Sequence, residues 1–227
     1  MAAEIHRQCS IFSCCTLRFV IMGEATSGQK AIVVHFNTPG RTNAADVVFL
    51  HGRGGTERDT GALVAAFPDA TLRGYRGPIR EGGGFAWFTI RAIGVAHPES
   101  LAREIPKVAG WISADNGANK PWLCGFSNGA AMAASIALSA PSDYAGLIMI
   151  AGCFATDALP AERLDGMPVL FCQGRSNWVI PPAKFAQARS YLEHDSGADA
   201  TILEYEGGHD VPVDLIASIA RWHQARH

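Results

Sequence analysis

From residue 30 onward the chain alternates short apolar runs with segments of helical spacing. Residues 31–36 (AIVVHF) predict a strand, and residues 46–50 (DVVFL) predict a second one. The second run is continuously apolar, as expected of a strand buried on both faces. Residues 58–67 have helical spacing, and residues 70–72 predict a weak strand. A long loop then spans residues 76–98 and carries the run Gly82-Gly83-Gly84. Residues 101–112 predict an amphipathic helix started by Ser100, with Glu104 nearby. The rest of the pattern reads as a strand at 122–124, an Ala-rich helix at 129–140 and strands at 147–150 and 169–172. A helix at 182–194, a strand at 200–203 and a final helix at 213–223 complete it. This alternation predicts an α/β fold with a mainly parallel central sheet and helices on both faces. Ligands of such sheets bind beyond the carboxyl ends of the strands, so functional residues are expected directly after them.

The first 28 residues differ from this pattern. Residues 11–22 are apolar but too short to cross a bilayer, and Arg18 interrupts them. With Arg7 before the run and Gly23-Glu24-Ala25 after it, they make a poor secretion signal; translation starting at Met22 is the other reading. The expected organisation is an irregular extension over 1–28 and a single domain over 29–227.

Composition narrows the function classes. A chain of 227 residues with 48% hydrophobic and 18% charged residues can bury one sizeable core and is not mainly disordered. A net charge of −2 argues against nucleic acid as a partner. No integral membrane segment is expected. Of the six cysteines, Cys9, Cys14 and Cys15 crowd the N-terminus, while Cys124, Cys153 and Cys172 sit at or near the ends of apolar runs. There is no CxxC and no histidine at metal spacing, so they read as free thiols in a reducing, cytoplasmic compartment, with no metal.

Three motifs follow strands. Gly125-Phe126-Ser127-Asn128-Gly129 is a G-x-S-x-G between a strand and a helix, where a sharp turn exposes the serine oxygen at the top of the sheet. The bland reading of Ser127 is a helix N-cap. His51-Gly52-Arg53-Gly54-Gly55 follows the 46–50 strand. An oxyanion needs two backbone N–H donors aimed at one point, and Arg53 and Asn128 are the candidates. His51 itself reads as structural rather than as a catalytic base. Gly207-Gly208-His209 lies between the last strand and the last helix, and places His209 to act as a general base toward Ser127. A residue that orients the histidine belongs between them, in Gly174-Arg175-Ser176-Asn177-Trp178-Val179-Ile180-Pro181.

The set HGRGG, GFSNGA, GRSNWVIP and GGH resembles the phospholipase/carboxylesterase family of α/β-hydrolases, relatives of the acyl-protein thioesterases. The resemblance runs from about Val47 to the C-terminus and includes Arg76-Gly77-Pro78 through Gly84 with Ala86-Trp87-Phe88. It implies an α/β-hydrolase fold and serine-ester chemistry without a cofactor. The family usually carries Asp in G-x-x-D-x-x-V-P, where this chain has Asn177, and often Gln where Asn128 stands.

The substitution at 177 leaves alternatives open. The Asn amide oxygen can accept from His209 Nδ1–H, yet it stabilises an imidazolium poorly; its NH₂ can instead face the ring and favour the wrong tautomer. Asn177 would then leave a slow enzyme, or act as the Asn of Cys-His-Asn proteases does, or Asp157 would take over the acid role. Asp210, next to His209, is expected to point elsewhere.

Only residues 154–167 separate two successive strands, so no large lid domain fits. Trp87 and Trp178 are candidate apolar walls of the substrate site, and Arg53 could attract an anion. The expected reaction is cleavage of a small-molecule carboxylic ester, with thioesters open to the same machinery, through an acyl-serine. A non-catalytic ligand-binding protein on the same fold is the alternative. A homodimer is left open.

Overall fold

The computed structural model describes residues 4–6, 16–21, 31–37, 46–116 and 119–226. Nine strands form its main sheet: β1 (Glu4–His6), β2 (Thr16–Ile21), β3 (Ile32–Asn37), β4 (Asp46–Leu50), β5 (Thr71–Tyr75), β6 (Trp122–Phe126), β7 (Gly146–Ile150), β8 (Pro168–Gly174) and β9 (Asp199–Tyr205). Their order is β1-β2-β3-β5-β4-β6-β7-β8-β9. Pairing is antiparallel from β1 to the β3–β5 edge and parallel from β5 through β9. The carboxyl ends of β4, β6, β8 and β9 therefore lie along one edge, where the three motifs begin.

Period-two alternation splits the core into two layers. Val48 and Leu50 of β4 pack on the side that holds α1 (Pro98–Asn116), α2 (Asn128–Ser139) and α3 (Pro182–Ser190). Val47 and Phe49 pack on the other, against Leu63 and Phe67 and against Leu215 and Ile219 of α4 (Val213–Gln224). All five residues of β4 and of β7 are buried, which accounts for their unbroken apolar runs. In α2 nearly every residue from Asn128 to Ala137 is buried, as an all-round apolar helix requires.

Several elements differ from the sequence expectation. The segment expected to be helical at 58–67 is a 3₁₀ helix, Glu57–Ala66, started by a Thr56/Asp59 capping box. The buried Glu57 receives two hydrogen bonds from Arg76, at 2.6 and 2.7 Å, which fix this segment to the end of β5. The expected loop at 76–98 holds two small hairpins, Ile79–Glu81 with Gly84–Ala86 and Ile90–Ala92 with Val95–Ala96. Helix α1 begins before Ser100, whose hydroxyl accepts the Thr89 N–H (3.0 Å) instead of starting the helix. After α3 the chain continues as a π turn, Tyr191–Asp195.

The N-terminal region was expected to be irregular, but β1 and β2 extend the sheet from β3. Arg18, which breaks the leader-like apolar run, falls within β2. Cys9, Cys14, Cys15 and Met22 lie outside the described residues. Cys124, Cys153 and Cys172 are free and buried, and burial raises the Cys153 thiol to about 11. No group of three or more potential metal ligands, and no helix long and apolar enough to cross a membrane, occurs among the described residues. No helix or strand lies between β7 and β8, so there is no large lid there.

Candidate active site

Ser127 is the single residue between β6 and α2, with φ 54 and ψ −116. A non-glycine residue held there costs about 1–3 kcal/mol, so the surroundings must impose it. The flanking glycines allow the close approach. A Cβ on Gly125 would stand 2.3 Å from the Gly129 carbonyl oxygen, and one on Gly129 would stand 2.0 Å from that of Leu50. The Ser127 N–H donates to Ile150 O at the end of β7 (2.9 Å). Its side chain makes no capping bond to α2 and is free for other chemistry.

His209 lies in the loop between β9 and α4. Its Nε2 is 2.8 Å from Ser127 Oγ, across 82 positions of sequence. The loop is held by backbone contact with the end of β8. Ser176 N–H donates to Gly207 O (2.9 Å), and a Cβ on Gly174 would come within 2.2 Å of Gly208 O. The Asp210 carboxylate accepts the Gly208 N–H (2.8 Å), so it folds back on its own loop. Burial lowers the His209 pKa below the ordinary histidine value, and the nearby charge of Asp210 opposes that shift.

Asn177 stands on the far side of the imidazole. Its Nδ2 is 3.1 Å from His209 Nδ1, and its Oδ1 accepts from the N–H groups of Val179 (3.0 Å) and Ile180 (3.3 Å). Asn177 itself is buried. Asp157, the alternative acid, is instead ion-paired with Arg91, largely exposed. The structure therefore brings Ser127, His209 and Asn177 together and leaves Asp157 out.

The HGRGG loop is braced from behind. Gly54 N–H donates to Phe85 O (2.8 Å) and Phe85 N–H to Gly55 O (2.9 Å). The N–H groups of Arg53 and Asn128 have no backbone acceptor among the described residues, and both residues line the same cavity as Ser127. The Arg53 side chain pairs with Glu81 at the surface. His51 is buried and structural: Nδ1 lies 2.7 Å from Gly52 O, and Nε2 accepts the Gly77 N–H (3.0 Å). Burial lowers its pKa, consistent with a neutral ring.

The two tryptophans are not walls of this cavity. Trp87 is fully buried: its indole N–H donates to His51 O (2.8 Å), and its backbone N–H donates to Asn128 Oδ1 (2.9 Å). Its ring satisfies a carbonyl of the HGRGG loop, so it is scaffold. Trp178 follows Asn177 but is 86% exposed, because Asn177 points inward and its neighbour outward. The Asn128 side chain, bonded to Trp87, is a link that the sequence did not signal.

Ser127, Asn128 and His209 open into a cavity of about 510 Å³. Its walls include Phe88, Ile90, Val95, Ala131, Val179 and Ile180, and the ion-paired Arg53 and Glu81 also line it. A serine hydroxyl touching an imidazole at the mouth of a largely apolar cavity suits acyl transfer.

The sheet and the position of this site on its edge define an α/β-hydrolase fold. The sequence profile of the phospholipase/carboxylesterase family matches residues 33–226, and the chain belongs to that family. Among curated proteins it is similar to Putative hydrolase MhqD of Bacillus subtilis (strain 168), with 27% identity over 184 residues, covering 78% of this chain and 92% of that protein. Among solved structures it is similar to the Bacillus cereus carboxylesterase (21% identity, TM-score 0.79, 87% of this chain and 95% of that one). It is also similar to esterase PE8 (27% identity, TM-score 0.70, 81% and 93%).

Proposed function

We propose that this hydrolase cleaves carboxylic esters through an acyl intermediate on Ser127. Ser127 Oγ attacks the ester carbonyl while His209 Nε2 takes the hydroxyl proton. The tetrahedral oxyanion accepts hydrogen bonds from the Arg53 and Asn128 N–H groups. His209 returns the proton to the leaving oxygen, and an alcohol departs. Water, deprotonated by His209, then attacks the acyl-serine; the acid leaves and Ser127 regains its proton. The acyl group lies against Phe88, Ala131 and Ile180.

The observation that carries this reading is the 2.8 Å contact between Ser127 Oγ and His209 Nε2 on a strained turn at a cavity. Thioesters present the same carbonyl chemistry and belong to the same proposal. The buried reduced cysteines support a cytoplasmic setting. A second reading, a ligand-binding protein without turnover, draws on Asn177. Turnover of p-nitrophenyl acetate and butyrate separates the two. The esterase reading expects turnover that Ser127→Ala removes; turnover retained in that variant, or absent from the folded wild type, overturns it.

A further inference from the structure

We infer that Asn177 holds His209 at rest in the tautomer protonated on Nε2, so that Ser127 Oγ accepts the Ser127–His209 hydrogen bond instead of donating it. This rests on the assignment of Ser127 and His209 as nucleophile and base, but its test does not need turnover.

The argument is one of donors and acceptors. Two backbone N–H groups, Val179 and Ile180, converge on one end of the Asn177 side chain, at 3.0 and 3.3 Å. An amide has one acceptor end and one donor end. Exchanging the ends would point an NH₂ at two N–H groups, with Ile180 buried. The oxygen therefore stays where it is, and the NH₂ faces His209. At 3.1 Å from Nδ2, the ring atom Nδ1 must supply a lone pair. A neutral imidazole carries one proton, which then sits on Nε2 and points at Ser127 Oγ, 2.8 Å away. A carboxylate in the same place has two acceptor ends. It would keep the Val179 and Ile180 bonds, accept from Nδ1–H, and leave a lone pair on Nε2 to receive the serine proton. The heavy-atom contacts are the same and the protons run the opposite way.

Attack by Ser127 thus needs a prior proton shift. Nε2 gives its proton to water, Nδ1 receives one from water, and Asn177 rotates, releasing the Val179 and Ile180 N–H groups. The imidazolium formed during attack also carries Nδ1–H, which the resting NH₂ opposes. Asn177 is a positioning residue that acts against the base, and its effect falls on kcat rather than on KM.

The test is ¹⁵N NMR of the full chain labelled at histidine, at about pH 8, where an ordinary or lowered histidine is neutral. His209 signals are assigned by their loss in His209→Gln. Long-range ¹H–¹⁵N correlations are expected to show Nε2–H in the wild type and Nδ1–H in Asn177→Asp. Asn177→Ala, which removes the donor without adding charge, is expected to lose the Nε2–H preference and covers the case in which the Asp variant does not fold. Nδ1–H in the wild type, or Nε2–H unchanged in both variants, overturns the inference. Inert Ser127 with the predicted tautomers would instead overturn the esterase reading alone.

Discussion

Replacing Asn177 by Asp exchanges the NH₂ facing His209 for an oxygen and leaves the neighbouring contacts in place. Its kinetic effect can be estimated from the hydrogen bonds at that side chain. To present an acceptor to His209, Asn177 must rotate and abandon the Val179 and Ile180 N–H groups. The Ile180 donor is buried and the Val179 donor half-buried; a buried donor left unsatisfied costs about 1–3 kcal/mol and a half-buried one up to that, so the pair costs about 1–6 kcal/mol. At about 1.4 kcal/mol per decade this is a factor of about 5 to 10⁴ in rate. The upper end agrees with the ~10⁴ loss in kcat when a serine protease's Asp becomes Asn. The carboxylate also stabilises the developing imidazolium, so about fivefold is the floor. We predict that Asn177→Asp raises kcat on p-nitrophenyl acetate by at least about fivefold and leaves KM within about threefold, because the charge arises only in the transition state. Steady-state rates with circular dichroism of both proteins test this. A kcat change below about threefold in a folded variant refutes the reasoning. Asp157→Asn, which breaks only the exposed pair with Arg91, should change kcat by less than about twofold; a loss of orders of magnitude would restore Asp157 as the acid.

Further outcomes follow from the same geometry. His209 must be neutral to accept a proton and burial lowers its pKa, so kcat/KM should rise with pH through a midpoint below about 6.5 and stay high toward about pH 8. In Asn177→Asp the added carboxylate favours the imidazolium, and the midpoint should move up; a midpoint above about 7 in the wild type, or a downward move in the variant, contradicts this. Ser127→Gly removes the strain of φ 54, about 1–3 kcal/mol, against a glycine cost of about 0.5–1 kcal/mol, so urea denaturation should find it more stable than Ser127→Ala by about 1 kcal/mol. Equal or reversed stabilities would mean the turn is not strained. Ala131→Phe fills part of the cavity wall and should raise KM for a hexanoate ester at least about tenfold, with acetate changed less than about threefold. A uniform change for both esters would move the acyl site elsewhere.

The parallel core was legible because strands buried on both faces leave unbroken apolar runs. The 46–50 run matches β4 residue for residue, and the 147–150 run falls one residue short of β7. That Ser127 and His209 would meet was legible because loops at neighbouring carboxyl strand ends converge, and glycines mark the turns. The hairpins within 76–98 were not, since strands of two or three residues are shorter than any period can reveal. The roles of the tryptophans were not legible either. Whether an indole lines a cavity or satisfies a buried carbonyl depends on contacts such as Trp87 with His51 O, far apart in sequence. Arg18 hid β2, because one charge ends a leader-like run but not a strand. Asn177 was visible as a departure from the family pattern; its orientation was not, because that depends on two backbone N–H groups just beyond it.

The central claim is that Ser127 is the nucleophile, and covalent labelling tests it most directly. The folded protein would be incubated with a fluorophosphonate, its intact mass measured, and the modified peptide sequenced. The account predicts one adduct per chain, on Ser127, absent from Ser127→Ala and formed faster in Asn177→Asp. An adduct on another residue, or no adduct on either the wild type or the Asp variant after prolonged incubation, would contradict it.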